Sequence, residues 1–497
     1  MFQSRFSTTS VIAISLAFFG GSVALANSNT NIVNHQSGAG AVAVDEEDVN
    51  VLDVTVTGRN NSVGSIGATP EFTLGTDATW QWLGRDPQQT VTGLVNYELA
   101  STSYGGETRQ MGTGHKATVI QNGRENSLVF AQGSDVGLRY TRSRVGSGDG
   151  FDQSYNFDRT RYVSSNKTAT ENELALHQSR GGNSASINQY GNENIAGTEE
   201  DMLKQTGWRN ALGIVQAGDG DEVYGEQSGS KNSLSVFQYT NRSTDERSRN
   251  VVFNQEGNRN FAEIDQEDIN GFVGIGPQHA SLDQVGHKNS SWMRQLNGRS
   301  AAYVVQNGNK NIADVYVEGG EQYSSAYIRS VGHRNTALVS MDTLGNGAGE
   351  VVVVQAGGFD NSTDQYINGV YNVAEVMQEG EASNVDIEQA GNRNTALLSQ
   401  TGDNNGAYID QSLNLGLANV TQSGDNLVLT YDQSGLRAEG TIVQEGINNE
   451  ILFSQLNGTS MIDQSGKFNY MSVSQTKGSL IVSQSGDNGK LYVTASR

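Results

Sequence analysis

A glutamine that returns every eleven residues limits this chain more than any other feature. Gln378, Gln389, Gln400, Gln411, Gln422, Gln433, Gln444 and Gln455 form one unbroken series. The same step joins Gln205, Gln216, Gln227 and Gln238, then Gln284, Gln295 and Gln306, with shorter runs at Gln178–Gln189 and Gln110–Gln121–Gln132. A fuller unit, Gln-x-Gly-x-x-Asn, starts at Gln121, Gln189, Gln205, Gln227, Gln255, Gln284, Gln306, Gln389, Gln400, Gln444 and Gln464. Chance would give roughly half a match, so this is an internal repeat.

Between each turn Asn and the next Gln the side chains alternate. Asn394, Ala396, Leu398 and Gln400 share one face, as do Asn210, Leu212, Ile214 and Gln216, and Asn449, Ile451, Phe453 and Gln455. A period of two is a strand, and helical spacing would scatter these residues around a cylinder. The opposite face carries Glu263 and Asp265, or Tyr408 and Asp410, and reads as polar. Gly in the turn supplies the backbone freedom of a sharp reversal. Two units make a strand-turn-strand-turn rung of 22 residues, the distance from Gln378 to Gln400.

One rung cannot bury its apolar face alone, so rungs must stack, about 4.8 Å apart. The predicted fold is all-β: a β-solenoid of two stacked parallel sheets, amyloid-like in its register. An inward amide without partners costs about 1–3 kcal/mol. Stacked in register, each can donate to the neighbour above or below. The predicted ladder contains Gln205, Asn210, Gln216, Gln227, Asn232, Gln284, Asn289, Gln295, Gln306 and Asn311. It continues through Gln378, Gln389, Asn394, Gln400, Asn405, Gln411, Gln422, Gln433, Gln444, Asn449, Gln455, Gln464, Asn469 and Gln475. Val317, Ser330 and Met341 stand where Gln is expected, Asp221 and Asp360 replace the turn Asn, and the spacing shrinks to nine from Gln455 to Gln464 and from Gln475 to Gln484.

Composition agrees with this architecture. Of 497 residues, 48 are Asn and 35 Gln, while only 17% are charged, an amide load unsuited to oily globular cores. Recurrent Val and Ile argue against disorder. The absence of Cys excludes disulfides and thiolate metal sites. A net charge of −22 argues against nucleic acid and anionic lipid as partners. Arg5, the apolar stretch Val11 to Phe19 and Ala24-Leu25-Ala26 read as a secretory signal over residues 1–26. No later segment is apolar enough to span a membrane, which leaves a secreted protein.

No catalytic constellation is expected. The six His are isolated, no phosphate loop occurs, and Ser147 does not sit at the centre of a nucleophile elbow. Neither a cofactor nor a metal is therefore expected. Asp219-Gly220-Asp221-Glu222 reads as a solvated acidic turn in preference to a calcium site. Arg209, Lys310 and Arg393 read as turn charges that keep rods apart, and Trp208 and Trp292 as outward or turn aromatics.

At these residues the chain resembles the curlin repeat family of bacterial curli fibres, whose pattern is Ser-x5-Gln-x-Gly-x2-Asn-x5-Gln. Units opening with Ser include Ser300 to Gln306 and Ser383 to Gln389. The resemblance covers most of 172–497 and an island at 110–132. It implies an extracellular amyloid-like fibre subunit, exported through the Sec route and then a dedicated outer-membrane route, with secretion and nucleation partners and a place in biofilm matrix. Along the chain we read a signal peptide (1–26), an irregular segment with decayed repeats (27–109), a short repeat island (110–132), an insertion or loop (133–171) and the repeat solenoid (172–497). Two functional readings follow: a self-assembling fibre subunit, or a monomeric solenoid adhesin or glycan- or ice-binding rod. Varied outward positions, such as Thr395, Leu397 and Ser399 against Ser127, Val129 and Ala131, weaken a lattice-matching surface.

Overall fold

Alternation of buried and half-buried side chains runs along strand after strand, as in Thr395–Thr401, where Ala396, Leu398 and Gln400 are buried and their neighbours are not. The computed structural model describes residues 51–59, 61–63, 108–112, 114–133, 171–240, 250–268, 279–296, 300–318, 324–342, 349–369, 371–412, 415–434, 438–456 and 458–496, plus short strands within 30–37, 71–98 and 138–163. The signal segment 1–26 and most of the insertion 133–171 lie outside them. Among the described residues there is no helix, and so none long and apolar enough to cross a membrane. The chain divides into two units, Met1–Ser248 and Arg249–Arg497.

In the first unit, Val51–Arg59, Lys116–Arg124, Glu173–Gly181, Leu203–Trp208 and Glu222–Ser230 stack in parallel, bringing Val56, Gln121, Gln178, Gln205 and Gln227 into one column. Ser127–Gly133, Ser184–Tyr190, Ala211–Ala217 and Ser233–Thr240 build the facing sheet, with Gln132, Gln189, Gln216 and Gln238 in register. The strand Thr108–Gly112 places Gln110 against Gln132. Short antiparallel pairings join Ala78–Trp82 to Gln89–Leu94 and Gln89–Leu94 to Ser143–Gly146.

The second unit repeats this arrangement with more rungs. One sheet runs from Asn250–Asn258 through Ser324–His333 and Thr395–Thr401 to Leu480–Asp487, every pairing parallel. The other runs from Phe261–Asp268 through Ser362–Asn368 and Gly406–Ser412 to Lys490–Ala495. Inward apolar side chains stack like on like: Val376, Leu398, Val420, Ile442 and Ile462 form one column, and each is almost fully buried. Such a core is narrow, so its stability depends on rung-to-rung contacts.

Rung length follows the turns. Successive ladder residues are 22 apart through Gln378, Gln400, Gln422 and Gln444, but 57 apart from Gln121 to Gln178, 29 from Gln255 to Gln284 and 20 from Gln444 to Gln464. Extra or missing residues are taken up between strands, so the column is kept while the sequence period is lost. The outward face is also less uniform than its polar sequence suggests. In the first unit Val215 and Phe237 are buried there, and in the second Glu263, Asp265 and Trp292 are. These strands therefore bury side chains on both faces, and Asp265 lies 4.0 Å from Arg294. Trp208 remains exposed, with the Arg124 guanidinium over its ring.

Candidate functional site: the stacked amide columns

All twenty-four ladder residues expected from the sequence are buried, none more than 2% exposed. Their carboxamides do two jobs. One N–H donates along the axis to the next glutamine. Gln378 donates to Gln400 at 3.1 Å, Gln400 to Gln422 at 2.6 Å, Gln422 to Gln444 at 3.0 Å and Gln444 to Gln464 at 3.0 Å. In the other sheet of that unit Gln389 donates to Gln411 at 2.8 Å and Gln266 to Gln295 at 2.7 Å. The first unit does the same: Gln178 to Gln205 to Gln227 at 2.7 and 2.9 Å, and Gln189 to Gln216 to Gln238 at 2.9 and 3.1 Å.

The second bond crosses between sheets. Gln411 donates to the Thr395 carbonyl at 3.1 Å and Gln422 to that of Gly406 at 3.1 Å. Gln205 reaches Ser184, Gln227 reaches Ala211 and Gln306 reaches Ser290 in the same way. A glutamine that makes both bonds, such as Gln205 or Gln422, therefore fastens its rung to the next and one sheet to the other. In a site this dry an unmade bond costs far more than a made bond contributes.

The asparagines work differently from the amide-to-amide stacking expected for them. Asn Oδ1 accepts the backbone N–H of the ladder residue one rung on: Asn289 N–H donates to Asn260, Asn311 to Asn289, and Asn469 to Asn449, at 3.0–3.1 Å. Nδ2 donates to the carbonyl four residues back and to the glycine carbonyl of the next turn, as Asn405 does to Thr401 at 3.1 Å and Gly424 at 2.8 Å. One methylene shorter than Gln, Asn stays in the turn and organises backbone. A main-chain donor makes the next side chain almost irrelevant. Gly416 N–H donates to Asn394, Leu427 N–H to Asn405, and Ser383 N–H to Asn361. In the first unit Asn210 and Asn232 form the same backbone chain.

Several columns are broken, and the breaks have local substitutes. Val317, Met341 and Ile367 succeed one another after Gln295. Ser330 keeps its column polar by donating to Gln355 at 2.9 Å. Thr363 reaches across to Gln378 at 2.6 Å. The Tyr431 hydroxyl donates to Gln433, and burial, with Asp432 nearby, pushes its pKa up so that it stays a donor. The Ser460 hydroxyl lies between two ladder amides, 2.8 Å from Gln455 Oε1 and 2.9 Å from Gln475 Oε1, and its one proton serves either. The spacing of nine thus shortens the turn and leaves the column intact.

One sequence reading needs correction. Asp360 does not replace the turn Asn. An extra residue at Gly357-Gly358 shifts the register, Asn361 takes the ladder position, and Asp360 is the exposed residue before it. Asp221 does replace Asn, its N–H donating to Asn194 at 3.1 Å, while Asp219 Oδ1 accepts the N–H and Nδ2 of Asn192. Asp221 is fully buried, so the turn is not the solvated acidic loop its sequence suggests; it carries the same rung-to-rung bonding as the asparagine turns.

Sequence reasoning missed two features. The residue before each ladder Asn lies in the left-handed region, including Lys288 (φ 57°), Arg393 (φ 61°) and Asn404 (φ 57°). Asn at 404 and 448 hinted at it, but Arg, Lys and Glu hold most of these positions and carry no such signal. The turn glycine is required by stacking as well as by φ: a Cβ on Gly424 (φ +136°) would sit 1.8 Å from the Gly446 carbonyl oxygen. Residues 380–412 and 391–424 match the family model of the curlin associated repeat. No curated protein matches the chain.

Proposed function

The chain carries curlin repeats, and we propose that it is a secreted, self-assembling fibre subunit in which rungs of separate copies continue one stack. Curlin-family proteins are extracellular fibre components, and the repeat is structural and not catalytic. The observation that supports self-assembly is the axial amide bond, as in Gln400–Gln422–Gln444. It joins identical groups at a fixed pitch, so the surface a rung offers is the surface it accepts. On this reading residues 1–26 direct export and are removed, the repeat region 172–497 forms the stack, and curli-type secretion and nucleation partners deliver it to the cell surface, where fibres serve adhesion and biofilm matrix.

Thioflavin fluorescence and electron microscopy of the purified chain test this. Expected are a lag, a rise in fluorescence, and fibres with a meridional reflection at about 4.8 Å. A chain that remains monodisperse while folded would reject it and favour the monomeric adhesin.

A further inference from the structure

One ridge of turns in the second unit sorts its charges by sign. It follows the sheet that contains Asn250–Asn258 and Ser324–His333, at the residues just before or two before each ladder position. On four consecutive rungs it presents Arg259, Lys288, Lys310 and Arg334; on the next four it presents Asp360, Glu381, Asp403 and Asp425. All eight are exposed. The boundary is marked by a 2.6 Å contact between Arg334 and Asp360. At the flanking position Val285, Asn307 and Val331 leave the cationic block unopposed at three rungs, with Glu256 beside Arg259 on the first, while Glu379 deepens the acidic block.

Four like charges at a pitch of about 4.8 Å repel one another, by about 1 kcal/mol per neighbouring pair even in water. In a chain of net charge −22, cations gathered on successive rungs are also the exception. Both features are accommodated by a partner with the opposite order at the same pitch. The chain itself, turned end for end, has that order. A two-fold axis through the Arg334–Asp360 boundary sets Arg334 opposite Asp360, Lys310 opposite Glu381, Lys288 opposite Asp403 and Arg259 opposite Asp425.

We propose that this ridge is a lateral docking surface for a second copy of the chain, antiparallel and paired rung for rung. The contact is isologous, so it closes on two copies. It is separate from the axial stacking proposed above: one holds rungs in a column, the other holds two columns side by side. Surface charges are screened over about 10 Å at 0.1 M salt, so the contact weakens as salt rises.

The test uses the full chain, soluble and before any fibre forms, in sedimentation velocity at low and high salt. Expected is a dimer at low salt that dissociates at high salt. Lys288→Glu with Lys310→Glu should weaken dimerisation by about tenfold or more, as should Glu381→Lys with Asp403→Lys. Mixing those two variants should restore pairing, and the chain bearing all four changes should dimerise like the parent. Carbodiimide should join Lys288 of one copy to Asp403 of another, since within a copy the two stand five rungs, about 24 Å, apart. A dimer indifferent to these reversals, or a low-salt monomer that shifts only when a polyanion such as heparin is added, would overturn the proposal. Thioflavin kinetics read the axial reaction separately, so loss of the dimer with normal fibre growth rejects the ridge contact alone.

Discussion

Gln365 offers a direct measure of how much a ladder amide owes to its neighbours. It lies on Ser362–Asn368 and is fully buried, yet its column neighbours are Val339 and Ile387, and neither its Oε1 nor its Nε2 has a hydrogen-bond partner. The amide was desolvated and nothing replaced the water. Gln365→Leu keeps approximate volume and removes the orphaned groups, so it should stabilise this rung by about 1–3 kcal/mol. In hydrogen exchange that is roughly 5- to 150-fold slower opening of residues 362–368. The same change at Gln400 should have the opposite sign. It strips the acceptor from Gln378 and the donor from Gln422, which lie 3.1 and 2.6 Å away. If Gln365→Leu exchanges faster than the parent in a folded protein, or both substitutions shift protection the same way, the view that axial partners set the sign is wrong.

Gln422→Ala removes the bond from Gln400, the bond to Gln444 and the bond to the Gly406 carbonyl. It should cost roughly 2–4 kcal/mol of local stability and slow fibre growth far more than Thr395→Ala on the outer face, as thioflavin kinetics would read. Gly424→Ala should unravel the turns on either side, seen as lost exchange protection, whereas Gly213→Ala, whose Cβ would meet nothing nearer than 3.8 Å, should be close to neutral. Burial first, and Lys204 second, hold the His177 pKa below its usual value, and the Asn122 amide lies 3.2 Å from its Nε2. The folded state therefore binds this proton less readily than the unfolded one. Its contribution is present above the unfolded pKa near 6.5 and is lost as pH falls through the folded value. Opening of Glu173–Gly181 should accelerate as pH falls below the unfolded pKa near 6.5, and His177→Gln should remove that dependence.

The strands and their inward faces were legible because a period of two and a period of eleven coincide at Gln400 or Asn449, each read from local spacing alone. Where turns lengthen, the periodicity fails although the geometry survives. Val56 shares a column with Gln121, and Gln178 with Gln205, across intervals no fixed step predicts. The role of asparagine was hidden for a different reason. Gln and Asn carry the same functional group, and only the reach of the side chain decides whether it meets another amide, as at Gln422, or a backbone N–H, as at Asn405. The buried outer face at Phe237 and Trp292 had no local signal, since a period of two marks which side chains point inward and says nothing of what lies against the others.

The three apolar members that follow Gln295, at Val317, Met341 and Ile367, have a consequence for fidelity. A column made only of glutamine looks the same from every level and would tolerate a neighbour displaced by a full step. Once methyl groups replace carboxamides at particular levels, a displaced neighbour meets hydrocarbon where it needs a polar mate. The irregular levels act as an index, so a long uniform-looking ribbon can still distinguish its own correct alignment from the next one along.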